Sequence, residues 1–161
     1  MKRWLLIVGR LALAAIFLYA GYEKIREPWP QFAISIEEFK MVPDTWLQPI
    51  AQILPWCEIA LGVLVLIPGF FARWASLILT GMLGFFLFIG IRAYAKGLTV
   101  DCGCFGAGHS GGIDAAWFAE HVAMLALGLA VTAGEFLKGR SFSRRPAFDS
   151  RDSLAGDVDP A

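Results

Sequence analysis

The chain has 161 residues, 57% of them hydrophobic and only 17% charged, and its 14 basic and 14 acidic side chains cancel. Soluble domains carry charge on about a quarter of their residues, so this composition argues against an ordinary soluble domain. Zero net charge without a basic stripe offers nucleic acid no footing, and no Walker loop, dinucleotide-binding glycine fingerprint or His-Glu-x-x-His helix is present.

The apolar residues come in four blocks, at 4–20, 47–67, 74–91 and 113–136. Each is close to the roughly 20 residues that a helix needs to cross about 30 Å of hydrocarbon. Lys2 and Arg3 precede the first block in the manner of a secretory signal, but Arg10 interrupts its apolar core and three further blocks follow, so it reads as a retained membrane helix. Arg10 is expected to play a structural part, its long stem snorkelling to the nearer surface.

Residues 22–46 form the first connection. Pro28-Trp-Pro30 is expected to break helix. Phe32, Ala33, Ile36 and Phe39, with Glu37 and Glu38 between them, then fit a short amphipathic helix over 32–39 lying on the membrane face, ended by Pro43. The second span begins near Leu47, with Pro55 expected in its first turns. Pro68-Gly69 makes a tight link to the third span, so the second and third helices should be antiparallel neighbours.

A polar, glycine-rich connection over 92–112 leads to the fourth span, where Ala126, Ala130 and Gly134 recur at four-residue spacing, as Gly81 and Gly84 do more loosely in the third; such small residues let helices approach closely. The fold expected is all-α, a four-transmembrane-helix bundle over residues 1–137 with a short amphipathic helix in the first outer loop. Residues 138–161, rich in Ser, Asp, Arg and Pro, read as a disordered cytoplasmic tail.

Basic residues near the spans favour both termini in the cytoplasm of a cell whose inner membrane holds the chain, with the connections 22–46 and 92–112 outside. That side is oxidising, so disulfides persist there.

The second outer connection carries Thr99-Val-Asp-Cys-Gly-Cys-Phe-Gly106. A disulfide prefers Cα atoms about 5.5 Å apart, whereas an extended tripeptide spans about 7 Å, so a Cys102–Cys104 bridge needs the bend that Gly103 permits. Such a ring is strained, and strained disulfides exchange readily. Exchange chemistry, a structural pair and a metal site that adds His109 are the three uses the spacing leaves open. Cys57, near the same end of the second span, is either a third, resolving sulfur or a small buried apolar residue. Glu58, Glu120 and His121 fall near the outer ends of their spans and Arg92 closes the third there. Charged groups in lipid face a bundle interior or a wet cavity. Glu58 is expected either to pair with Arg92 or Lys24 or to tune thiolate formation, and His121 to handle a proton or a hydrogen bond.

Gly21-Tyr-Glu-Lys24, Pro55-Trp-Cys-Glu58, Gly62 and Asp101-Cys-Gly-Cys-Phe-Gly106, in that order among four spans, resemble the MauE/DoxX family of redox-associated membrane proteins over roughly residues 4–136. The resemblance implies a four-helix membrane protein. Its MauE branch implies a role in methylamine utilisation through maturation of methylamine dehydrogenase, a secreted, disulfide-containing redox enzyme, with a thioredoxin-like protein as collaborator. Cys102, Cys104 and Cys57 would then be the exchanging residues of a thiol–disulfide oxidoreductase, supported by Glu58, Arg92, Glu120 and His121. The DoxX branch implies instead a quinone-linked oxidoreductase subunit and leaves a quinone open as cofactor. A non-enzymatic membrane scaffold or chaperone for the maturing enzyme is the remaining alternative.

Overall fold

In hydrocarbon a backbone can satisfy its N–H and C=O groups only within its own helices, and the four apolar blocks form four unbroken helices. The computed structural model describes residues 3–97 and 115–142. In chain order these form α1 (Arg3–Arg26), α2 (Trp29–Glu38), α3 (Asp44–Leu64), α4 (Phe70–Ala95) and α5 (Ala115–Phe142), with no strand among the described residues. All but α2 are long and apolar enough to cross a membrane. Large apolar side chains face outward along them, among them Trp4, Val8, Ile53, Phe70, Phe85 and Leu129. Such a surface suits lipid and not water, and this is a multi-pass membrane protein.

The local chemistry moves several boundaries. The proline pair starts a helix instead of breaking one, because Pro28 is the N-cap of α2 and Pro30 lies in its first turn, where the missing N–H had no helical partner to lose. The amphipathic helix therefore covers Trp29–Glu38 and not 32–39. α3 begins earlier than Leu47, at Asp44, so Pro49 and Pro55 both lie inside it. Pro55 sits mid-helix and not in the first turns. The return into α4 uses Gly69 at φ 104°, a backbone that favours glycine. α5 continues through Phe142, past the 137/138 division; residues 143–161 lie outside the described residues.

α1 packs between α3 and α5, and α4 closes the ring on its far side against the same two helices. Neighbours run antiparallel: Gly21 meets Ile59 while Gly62 meets Leu18, and Gly90 meets Trp117 while Gly128 meets Thr80. The core is Leu13, Ala14 and Phe17 of α1, Val65 just after α3, Ala75, Leu79 and Leu83 of α4, and Val131 of α5. α2 lies along α3. Since Lys24 is level with Glu58, the first turns of α3 run past the end of α1 with α2 as their partner.

The small residues that bring the helices together are only in part the expected ones: Gly134 is buried, and a Cβ at Gly84 would stand 3.9 Å from Leu125 of α5. Ala126, Ala130 and Gly81 are exposed, and Gly81 has nothing near it. Gly128 instead fits against Thr80, whose hydroxyl also lies 3.0 Å from that of Thr132, and Gly90 lies under the Trp117 ring. Four-residue spacing identifies a helix face but not which way that face turns.

These contacts predict opposite outcomes for two glycine-to-alanine changes on α4. A methyl at Gly90 overlaps the Trp117 ring, and overpacking of this kind costs about 1–3 kcal/mol. A methyl at Gly81 meets nothing and gains roughly 0.5–1 kcal/mol of helix propensity. Thermal unfolding of the purified protein in detergent should show Gly90→Ala below the wild type and Gly81→Ala at or above it.

Candidate functional site

Lys24 lies in the last turn of α1, and helical side chains lean toward their own N-terminus, so its stem runs back into the bundle. There Nζ donates to both carboxylate oxygens of Glu58, each at 2.8 Å. Both side chains are 1% exposed. Gly21 makes this approach possible, since a Cβ there would meet Ile59 and the Pro55 carbonyl at under 3 Å. Two rings close the pair from other helices: Phe32 of α2 is centred 5.5 Å from the ammonium and Phe86 of α4 5.8 Å from it. Four helices therefore meet at one charge pair.

α5 completes this end. Buried His121 stacks on Trp117 with ring centres 3.8 Å apart, and its Nδ1 is 2.9 Å from the Trp117 carbonyl. Only a protonated Nδ1 donates to a carbonyl, so neutral His121 offers Nε2 as an acceptor. Trp117 lies over Gly90, and one turn deeper on the two antiparallel helices Phe86 and His121 reach the same level. Phe118 meets Trp117 and Tyr94 edge to face, so the first turns of α5 are fixed to the end of α4 by aromatic contacts.

The sequence-derived site residues thus separate. Glu58 and His121 are buried inside the bundle. Arg92 and Glu120 are exposed, so neither faces the interior, and the partner of Glu58 is Lys24 and not Arg92. Cys57 is a free, exposed thiol, which removes the reading of it as a buried one: Glu58 takes the inward position on that turn and its neighbour points out. Cys102, Cys104 and His109 lie outside the described residues, but the flanking Gly97 and Ala115 stand at the Lys24 end. No group of three or more metal-ligating side chains occurs among the described residues.

A second buried pair lies toward the opposite end. Arg10 does not snorkel. Its Nε donates to the Val65 carbonyl at 2.8 Å, its Nη2 donates to the Leu66 carbonyl, and its Nη1 lies 3.7 Å from Glu135. It satisfies carbonyls that the end of α3 leaves without helical donors. Glu135, a carboxylate inside an apolar helix, gave the same signal as Glu58 but does not stand out against the mixed sequence that follows it.

Comparison with known proteins agrees with this architecture. The family model for methylamine utilisation protein MauE matches residues 2–134, and the chain belongs to that family. The methylamine utilization protein MauE of Paracoccus versutus is 30% identical over 124 residues, covering 77% of this chain. The match spans 66% of that relative, just under two thirds of its length. No solved structure matches the chain.

The geometry of the pair predicts a non-additive pattern. Removing one partner of a buried ion pair costs about 3–5 kcal/mol because it strands the other, whereas replacing both with apolar groups is often neutral. Glu58→Ala and Lys24→Ala should each lower the unfolding temperature and the amount recovered from membranes. The double variant Lys24→Met/Glu58→Leu should recover most of the loss.

Proposed function

We propose that this MauE-family protein is a thiol–disulfide exchange partner in methylamine utilisation, acting at the outer face of an inner membrane to mature a secreted, disulfide-containing redox enzyme of the methylamine dehydrogenase kind. The observation that carries the reading is Cys102-Gly103-Cys104 in the connection between α4 and α5 of a membrane protein of this family. A thiolate of the substrate enzyme attacks one sulfur of the Cys102–Cys104 disulfide, whose S–S bond breaks as the mixed disulfide forms. A second substrate thiolate displaces the protein's sulfur, leaving an oxidised substrate and two reduced cysteines that hold the two electrons. A thioredoxin-like protein in its disulfide form takes those electrons by the same exchange in reverse order. The bundle supports this chemistry by fixing both ends of the connection: Trp117, Phe118 and Tyr94 bind the start of α5 to the end of α4. Glu58 has a positioning role, its charge bound to Lys24.

Two measurements test the reading. Cys104→Ser should trap a mixed disulfide through Cys102 to the substrate enzyme or its thioredoxin-like collaborator, visible as a band lost on reduction. The wild-type pair, equilibrated in glutathione buffers, should titrate as a two-electron couple above the roughly −300 mV below which structural disulfides lie. A pair that stays oxidised under strong reduction, with no trapped partner, would favour the scaffold alternative.

Orientation is tested separately. With both termini in the cytoplasm, a membrane-impermeant thiol reagent added to reduced intact cells with an opened outer envelope should label Cys102 or Cys104. Labelling only after the inner membrane is breached reverses the topology.

A further inference from the structure

Among the five described helices α2 alone is not a span, and its hold on the bundle differs in kind from the others. It has ten residues, a length at which a helix depends on tertiary support. Only Phe32 and Ser35 of them are buried. The Ser35 hydroxyl donates to the Gln31 carbonyl of α2 itself, and among the described residues no hydrogen bond or ion pair joins residues 29–38 to a spanning helix. Clefts open at both ends of α2, one of about 510 Å³ beside Pro28 and Trp29 and one of about 530 Å³ beside Glu37, Glu38 and Lys40.

What α2 covers is the buried ion pair. The Phe32 ring is centred 5.5 Å from the Lys24 ammonium, and Lys24 also borders the first cleft. The second ring over that ammonium, Phe86, belongs to α4 and is fixed in a span. Segments with few buried apolar contacts open locally at a lower free energy than the whole structure unfolds. By that measure α2 is the described helix least firmly held.

We infer that α2 is a movable cover over the Lys24–Glu58 pair, lifting from α3 as one unit while the four spans keep their places. The links on either side of it, residues 27–28 and 39–43, are its hinges. Lifting takes Phe32 from the ammonium and joins the cleft to the pair. Water then reaches two ions whose attraction is far weaker in water than in a protein interior. The cover thereby sets how firmly α1 holds α3 at this end. It regulates the pair and is independent of the exchange chemistry proposed above.

The test uses the full chain in lipid nanodiscs, with timed labelling read site by site by mass spectrometry. A water-soluble acylating reagent reports Lys24, with exposed Lys40 and Lys96 as references. A water-soluble maleimide reports Ser35→Cys on the buried side of α2, and Ala75→Cys in the α4 core reports unfolding of the whole bundle. Ser35→Cys should label well before Ala75→Cys, and the amides of residues 31–38 should exchange hydrogen together, ahead of those of α1 and α3. Phe32→Leu keeps an apolar side chain but removes the ring face. It should speed the labelling of Lys24 and Ser35→Cys alike, by roughly fivefold for a lost cation–π contact, and leave Ala75→Cys unchanged. Labelling of Ser35→Cys at the rate of Ala75→Cys, with the amides of α2 exchanging no earlier than those of α3, overturns the inference. So does faster Lys24 labelling in Phe32→Leu without faster Ser35→Cys labelling, the sign of a fixed gap and not of a lifting helix. Should Phe32→Leu fail to fold, the comparison of Ser35→Cys with Ala75→Cys and the amide exchange of the wild type decide the matter alone.

Discussion

Taking an ammonium and a carboxylate out of water costs several kcal/mol per ion, recovered only when each finds its partner in good geometry. Lys24 and Glu58 meet that condition with two bonds of 2.8 Å, and much of the surrounding structure follows from it. The carboxylate lies inside α3, so α1 must come close enough for a lysine near its end to reach, which requires Gly21 at the contact. The remaining surface of the ammonium needs cover that is not hydrocarbon alone. Phe32 and Phe86 supply ring faces, and Phe32 can do so only if α2 lies down on α3. The placement of the short helix is thus tied to a charge pair in a neighbouring part of the bundle.

The other buried pair does different work. Arg10 spends two of its donor groups on Val65 and Leu66 carbonyls where α3 ends, so a cation inside the first helix finishes the second spanning helix and holds the turn into α4. Glu135 neutralises it from 3.7 Å, beyond hydrogen-bond reach, and its Oε1 has no hydrogen-bond donor among the described residues. One end of the bundle is therefore locked by a doubly bonded pair and the other by a cation bonded mainly to backbone.

The four spans, their antiparallel order and the need of Glu58 for a cation were legible in the sequence because each follows from hydropathy and the cost of charge in lipid. Which cation was not. Lys24 and Arg92 sit at the same end of the bundle, and only the rotation of α1 and α4 about their axes turns one inward and the other out. The same rotation hides Cys57 from sequence reasoning: it adjoins Glu58 in the chain, and adjacent residues on a helix point about 100° apart. Of the stripe Ala126, Ala130 and Gly134 only Gly134 is buried, since such spacing is shared by any helical face. The proline pair misled because its effect depends on whether proline falls in the first turn or later.

In the proposed exchange, burial divides labour between the bundle and the connection. Exchange proceeds through a thiolate, and a bare anion against hydrocarbon carries the same desolvation cost that Glu58 avoids only by holding Lys24. The carboxylate's charge is bound by Lys24 inside the bundle. Cys57 lies on the outer surface of α3. The proposed exchange places its thiolate in the connection 92–112, whose sequence is polar and glycine-rich. The bundle's contribution is mechanical: it fixes Gly97 and Ala115 at one end of a frame held by Trp117 against Gly90 and by Lys24 against Glu58.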